Sequence, residues 1–222
     1  MTSERPVIRV VDDDQGFRVA ICRLLRAEGF EVREYASAGA FLLGDEEQTP
    51  GCVLLDLRMP GPSGLDLQEA LAKRERNLPI IFLTAYADVR GSVRAMKAGA
   101  LDFLAKPVKR DALVTTIRAA MARDEEKRAA REQVHALRAR YDALSPRERE
   151  VLQHVVAGRL NKQIASAIGA AERTVKAHRA RVMAKMQAGS VAELVRSVDR
   201  LASSPGGIDT RPPAPTRRSA VS

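Results

Sequence analysis

A chain of 222 residues with 45% hydrophobic and 29% charged residues can form one large or two small globular domains, and no apolar run in it approaches the roughly 20 residues of a membrane span. Its two cysteines, Cys22 and Cys52, fall in apolar patterns and read as buried hydrophobes; with no basic-then-apolar leader at the start, a cytoplasmic protein without a membrane partner is predicted. The net charge of +9 is uneven: 17 basic and 17 acidic residues cancel over 1–120, 6 stand against 4 over 121–141, and 14 against 7 over 142–222, so a polyanion partner is sought in the C-terminal third.

From residue 7 to 120, short β-type runs alternate with helical patterns. The runs are 7–11, about 31–34, 52–56, 79–84 and 101–105; the helical stretches lie near 14–28, 37–46, 64–73, 88–98 and 110–121. Such alternation predicts an α/β domain with a parallel five-stranded sheet covered on both faces, and right-handed crossovers favour the flavodoxin-like strand order 2-1-3-4-5.

In an open parallel sheet the carboxyl ends of the strands form the ligand crevice. Four strands here end in polar residues: Asp12-Asp13-Asp14 after Val7–Val11, Asp56 after Gly51-Cys52-Val53-Leu54-Leu55, Thr84 after Pro79–Leu83, and Lys106 after Leu101–Ala105. A carboxylate can attack phosphorus and form an aspartyl phosphate, provided that charge on the phosphoryl oxygens is offset. Asp12, Asp13 and Asp56 suit a magnesium (or manganese) ion, Lys106 supplies a compact positive charge, and Thr84 supplies a hydroxyl donor. Asp14 fits the N-cap of the following helix. A lone polar residue at a strand end is usually structural, but four at matching ends point to a phosphoryl site.

These residues carry a resemblance. Val11-Asp12-Asp13-Asp14, Leu55-Asp56-Leu57-Arg58-Met59-Pro60, Leu83-Thr84-Ala85 and Leu104-Ala105-Lys106-Pro107 together resemble the receiver domain of two-component response regulators, whose fold is CheY-like. The resemblance implies that Asp56 accepts a phosphoryl group from a cognate histidine kinase, and that the backbone carbonyl of Arg58 joins Asp12, Asp13 and Asp56 at the metal. It makes Thr84 and Phe103 a switch pair, a role with which a plain core aromatic at Phe103 is compatible. It also implies a cis Lys106–Pro107 bond. Val89 to Phe103 resembles the dimerisation face of the FixJ and NarL type, with Val93, Lys97 and Asp102 at interface positions and a Lys97–Asp102 pair between subunits; a solvated helix face is the alternative.

No Gly or Pro occurs from Asp111 to Leu144, so the last receiver helix is predicted to run on into an exposed helical linker. Its late apolar stripe, Val134, Leu137, Tyr141 and Leu144, either pairs with a second copy or packs on the C-terminal domain. Beyond it, Ser145-Pro146-Arg147-Glu148 is a capping box, a short helix runs from Lys162 to Ile168 with Asn161 opening it and Gly169 closing it, a longer one spans Arg173 to Gln187, and Ser190-Val191-Ala192-Glu193 is a second box before a helix to about Ala202. A short helix, a glycine turn and a longer basic helix describe a helix-turn-helix. At about 100° per residue, Val175, Val182, Met183 and Met186 form the core arc of the longer helix. The opposite arc carries Arg173, Ala177, Ala180 and Ala184, flanked by Lys176, Arg181 and Lys185; small residues beside long cations suit entry into a major groove. Arg179, near the core arc, is expected to pair with Glu148 or Glu150, and His178 to be a structural hydrogen-bonding residue.

Leu144-Ser145-Pro146-Arg147-Glu148, Asn161-Lys162-Gln163-Ile164-Ala165 and Thr174-Val175-Lys176-Ala177-His178 resemble the LuxR-type helix-turn-helix. By position the resemblance implies that Asn161, Lys162 and Thr174 touch phosphates while Lys176 and Ala177 face base edges. Two departures stand out: Ala171 where a capping Ser is usual, a loss of about 1 kcal/mol partly offset by Glu172 in the first turn, and Ala180 where a base is frequent. The domains are then a receiver at 1–121, a linker at 122–141, a DNA-binding domain at 142–202 and a disordered Pro/Gly/Ser/Arg-rich tail at 203–222. Expected partners are the kinase, operator or promoter DNA, a second copy on phosphorylation, and RNA polymerase. A haloacid dehalogenase-type phosphatase would need a carboxylate two residues after the nucleophile, where Arg58 stands, so no enzyme is expected. Residues 142–202 hold no Phe, Tyr or Trp to stack single-stranded bases; a protein-binding output is the remaining alternative.

Overall fold

The computed structural model describes residues 5–45, 49–74, 78–85 and 89–211. The chain divides between Arg128 and Ala129 into two compact units.

In the first unit, β1 (Val7–Val11), β2 (Glu31–Tyr35), β3 (Gly51–Asp56), β4 (Ile80–Thr84) and β5 (Asp102–Ala105) form one parallel sheet in the order β2-β1-β3-β4-β5. Alternation along each strand fills two cores. Ile8, Val10, Leu54, Ile81 and Leu83 pack under α1 (Gln15–Ala27) and α5 (Arg110–Asp142), with Leu25, Leu113 and Ile117 facing them. Val11, Val53, Leu55 and Phe82 pack under α2 (Ala38–Gly44), α3 (Gly64–Lys73) and α4 (Val89–Lys97), with Phe41, Leu67, Leu71 and Ala95. The CheY-like expectation holds, strand order included.

A buried cation breaks the apolar pattern of β1. Arg9 in β1 is fully inaccessible, and its guanidinium is spent on Asp45 (2.6 Å) and the carbonyls of Val7, Thr49 and Pro50 (3.2, 2.8 and 3.3 Å). Asp45 Oδ1 accepts in turn from the Tyr35 hydroxyl at 2.8 Å; burial and then that bond push the phenol up to about 12. A buried cation is tolerated because its donors are satisfied by a carboxylate and carbonyls.

Helix α5 runs unbroken through the stretch expected to be an exposed linker, and part of that stretch is buried. Asp124, 6% exposed, accepts the Gly51 N–H at 3.0 Å, so packing that belongs to the receiver continues past residue 121. The Leu137–Tyr141–Leu144 stripe joins the core of the second unit, with Val134 beside it; the open choice between self-pairing and packing on the C-terminal domain is thus resolved toward packing.

The second unit is helical: α6 (Pro146–Val156), α7 (Asn161–Ile168), α8 (Glu172–Met186) and α9 (Val191–Ala202) surround Val151, Leu152, Ile164, Val175, Val182, Leu194 and Val198. The Ser145/Glu148 box forms as expected. At α9 the reciprocal half shifts by one residue: Ser190 caps the Glu193 N–H, but Glu193 Oε2 accepts from Gly189 N at 2.9 Å. Ala171 indeed offers no side-chain cap to α8. Residues 203–211, expected to be disordered, are largely exposed but tied to the helical unit at a few points. Ile208 lies against the helical core, Arg138 donates to Gly206 O (2.8 Å) and Gln153 to Asp209 O (3.0 Å). The rest of the expected tail, 212–222, lies outside the described residues. Among the described residues no helix is long and apolar enough to cross a membrane.

Gly51 opens β3 with φ +132°, and a Cβ there would stand 2.0 Å from the Val7 carbonyl oxygen. We predict that Gly51→Ala destabilises the receiver by about 3 kcal/mol or more, since backbone cannot yield as a side chain does. Urea unfolding followed by circular dichroism should show the receiver transition moving to lower denaturant.

Candidate functional site: a phosphoryl crevice and a basic helix

The turns after β1 and β3 hold the first two carboxylates. Asp12, fully buried, accepts the Asp14 N–H on Oδ1 at 3.0 Å, and its own carbonyl accepts from Arg18 at 2.7 Å. Asp14 caps α1 through Phe17 N at 3.0 Å, as the sequence predicts. Asp56, 8% exposed, accepts the Arg58 N–H on Oδ1 at 3.2 Å, which turns the chain sharply after β3. Gly64, at the start of α3, crowds the same strand end: a Cβ would lie 2.2 Å from the Asp56 carbonyl oxygen.

Lys106 joins the two carboxylates. Its N–H pairs with Thr84 O at 2.7 Å, extending the β4–β5 ladder, and the Lys106–Pro107 bond is cis. Its ammonium reaches Asp12 Oδ2 at 2.6 Å and Asp56 Oδ2 at 3.0 Å, and lies 4.0 Å from the centre of the Phe17 ring. Burial works against the Lys106 charge, but bonds to Asp12 and Asp56 outweigh it and raise the ammonium above its ordinary value. For Asp12, burial is the largest influence and raises the carboxyl despite Lys106. Thr84 is 1% exposed at the end of β4, and Phe103 in β5 is half-buried opposite Phe82.

Asp12, Asp13 and Asp56 each offer an oxygen within 4.8 Å of the others. An all-carboxylate, oxygen-only set fits a hard divalent cation such as magnesium, and two of the three groups are buried, so the residues suit the ion. The crevice brings together Asp12, Asp13, Asp56, Thr84 and Lys106. Val93 (47% exposed) and Lys97 lie exposed on α4, and Asp102 in β5 is half-buried, accepting the Thr116 hydroxyl at 3.2 Å.

On α8 the core arc is as expected: Val175, Val182 and Met186 are buried and Met183 is half-buried, which leaves Arg173, Thr174, Lys176, Ala177, Ala180 and Arg181 exposed. Lys176 sits 3.7 Å from Glu172, an open i,i+4 pair that costs little to break. Two cations differ from expectation. Arg179 donates to Asn161 Oδ1 (3.1 Å), not to Glu148 or Glu150, because Lys185 occupies Glu148 (2.7 Å) and Arg147 occupies Glu150. Lys185, assigned to the DNA face, is exposed but paired within the domain; it also donates to Ala143 O at 3.1 Å. His178 Nδ1 is buried without a hydrogen-bond partner among the described residues, contrary to its expected bonding role. Asn161, Lys162 and the α8 face remain on one helix-turn-helix, with Gly169 (φ +63°) making the turn.

Two family models match: the response regulator receiver domain over residues 8–118, and the luxR family of bacterial regulatory proteins over 142–198. The chain is a two-component response regulator of the receiver-plus-LuxR type. The regulator is 42% identical over 199 residues to nodulation protein W of Bradyrhizobium diazoefficiens, covering 90% of this chain and 88% of that protein. It is 41% identical over 189 residues to the transcriptional regulatory protein FixJ of Azorhizobium caulinodans, with coverage of 85% and 90%. Among solved structures, the response regulator StyR aligns with a TM-score of 0.81 and 43% identity over 88% of this chain and 99% of that one. Full-length FixJ from B. japonicum aligns with a TM-score of 0.54 and 39% identity over 89% and 97%. The regulator thus carries a receiver and a LuxR-type DNA-binding domain, and its family is one of transcriptional regulators. Phe17 and Gly64 belong to the crevice although sequence reasoning passed over both. Phe17 stands three residues after the Asp14 cap, a spacing that sets it at the mouth of the strand ends.

Glu148 links α6 to α8. Its bond from Lys185, then that from the Ser145 N–H, lower its carboxyl from an ordinary 4.5 to about 2. A depressed carboxylate contributes stability that is present above about pH 4.5 and lost as pH falls toward 2. Comparing wild type with Glu148→Gln, the gap in stability of the helical unit should be full at pH 6 and close as pH approaches 2. Thermal melts across that range check it; a gap independent of pH contradicts the assignment.

Proposed function

We propose that this regulator is switched by transfer of a phosphoryl group from a histidine kinase to Asp56, and that the phosphorylated chain dimerises and binds operator DNA in a sequence-specific way. The observation that carries the reading is the Lys106 ammonium held between Asp12 and Asp56 at the carboxyl ends of the sheet. An Asp56 oxygen would attack phosphorus as the nitrogen–phosphorus bond of the donor histidine breaks, its electron pair leaving with the ring nitrogen, which then takes a proton. Asp12, Asp13, Asp56 and the Arg58 carbonyl would hold magnesium or manganese, which neutralises charge on the phosphoryl oxygens. Lys106 would exchange Asp56 Oδ2 for a phosphoryl oxygen, and the Thr84 hydroxyl would donate to another. Phe103, half-buried beside Thr84's strand, would follow Thr84 inward and pass the change to the α4–β5 face.

That face, with Val93, Lys97 and Asp102, is the proposed dimer contact. One helix-turn-helix reads only a short half-site, so two α8 helices about one helical turn apart give useful affinity. Asn161, Lys162, Arg173, Thr174 and Arg181 would contact phosphates, with Lys176 and Ala177 at base edges. Arg179 takes the amide oxygen of Asn161, which favours presenting the Asn161 NH2 to a phosphate. Lys185 drops from this set because Glu148 holds it. The bound dimer would act on RNA polymerase at the promoter.

Incubated with acetyl phosphate and magnesium, the wild-type chain should gain one phosphoryl group by intact mass, and Asp56→Asn none. Equal labelling of the Asn variant would overturn the assignment. Under the same conditions sedimentation should show a dimer for wild type, a loss of dimer in Lys97→Glu, and partial recovery in Lys97→Glu with Asp102→Lys. Recovery stays partial because the second change also removes the acceptor for Thr116. Undiminished dimer in Lys97→Glu would exclude this face.

A further inference from the structure

Phe17 is an aromatic side chain in a crevice otherwise made of carboxylates, a hydroxyl and an ammonium. It occupies the third position of α1, where its N–H is held by the Asp14 carboxylate at 3.0 Å. Its ring is half-buried against the cluster that contains Ile8, Val10 and Leu113. The Lys106 ammonium sits 4.0 Å from the ring centre, well inside the range of about 6 Å in which an aromatic face attracts a cation. The Lys106 side chain is only 13% exposed, so little water competes for that contact.

From this juxtaposition we propose that Phe17 is a positioning residue for the phosphoryl site, its ring face holding the Lys106 ammonium over the crevice. The proposal rests on Asp56 being the phosphoryl acceptor. Two oxygens, Asp12 Oδ2 and Asp56 Oδ2, fix the ammonium in the chain as it stands. Phosphorylation changes one of those anchors, since an Asp56 oxygen becomes bonded to phosphorus. A long lysine released from it would regain its rotamers, and the charge needed at the phosphoryl oxygens would be diluted. Unlike the two carboxylates, the ring holds Lys106 without a hydrogen bond. It attracts the ammonium through its π face without claiming an N–H, so the cation can move from carboxylate to phosphoryl oxygen while staying at the crevice. An apolar lid at the edge of the core would also place a phenylalanine here, beside the lysine but without holding it. The two differ in what they require. A lid needs only volume, whereas a cation holder needs electron density on the ring face.

The test uses the full chain with magnesium and acetyl phosphate, reading the initial rate of Asp56 phosphorylation by intact mass. Phe17→Tyr and Phe17→Trp should stay within about twofold of wild type, and Phe17→Leu should be slower by about fivefold, the span such contacts support. Phenylalanine analogues carrying one to five ring fluorines at position 17 keep the shape while draining the face. The logarithm of the rate should fall steadily along that series. A flat fluorine series, whatever Leu does, reduces Phe17 to a packing role and overturns the proposal. A Phe17→Leu rate equal to wild type overturns it as well. Wild-type chain that takes no label at Asp56 is a different outcome: it removes the phosphoryl-acceptor reading itself, and this inference with it.

Discussion

Two carboxylates at the ends of adjacent parallel strands repel each other, and in a crevice from which water is largely excluded that repulsion is not damped as it is at a surface. The Lys106 ammonium, in contact with both Asp12 and Asp56, is what lets β1 and β3 end side by side in charged groups. Much of the receiver's local structure serves that placement. The β4–β5 ladder carries on one residue past Thr84 to set the Lys106 backbone, and the Asp14 cap sets the Phe17 ring against the ammonium. The lack of a side chain at Gly64 lets α3 start against the Asp56 carbonyl. Held this way, the three carboxylates of Asp12, Asp13 and Asp56 bring their oxygens close together while the Lys106 ammonium contacts only two of them, an arrangement that favours a divalent cation.

The helical unit sorts its cations by the same logic of pairing. Lys185 is consumed by Glu148 and Arg147 by Glu150, both inside the frame that fixes α6 against its neighbours. Arg179 ties α8 to the first residue of α7, so the two helices of the helix-turn-helix are joined by a polar bond as well as by Ile164, Ile168 and Val175. The cations left on the outward face of α8 are Arg173, Lys176 and Arg181; among the described residues the ion pair seen there is the open contact of Lys176 with Glu172. The positive surplus of the C-terminal third is therefore not spread evenly over the domain. Part of it is spent on structure, and the rest stands where a phosphate backbone could meet it.

Most of this architecture was legible in the chain. Apolar runs of four or five residues followed by Asp, Asp, Thr and Lys define four strand ends, and once the strands are read as parallel those ends lie together at one edge of the sheet. The core arc of α8 was likewise readable, because helical geometry leaves little freedom once Val175, Val182 and Met186 are chosen. What escaped were choices among partners close in space and distant in sequence. Arg179 had two carboxylates in reach by helical phase, and nothing in the sequence says that Lys185 and Arg147 take them first. Arg9 reads as an interruption of an apolar strand until Asp45, Tyr35 and Thr49 close around it. The packing of Ile208 was missed because composition averages over a segment and does not single out one apolar side chain within it.

The bond between Asp124 and the Gly51 amide bears on where the receiver can be said to end. The family match stops at residue 118, yet the first amide of β3 is satisfied by a carboxylate six residues further along α5. A receiver excised at the family boundary would keep every residue of the crevice and still leave a buried N–H without its acceptor, at the opposite end of the strand that carries Asp56. The shortest segment that retains the whole inventory of the sheet's polar groups is thus longer than the segment that retains its chemistry. In this chain the edge of the fold is set by one hydrogen bond rather than by the last apolar side chain of the core.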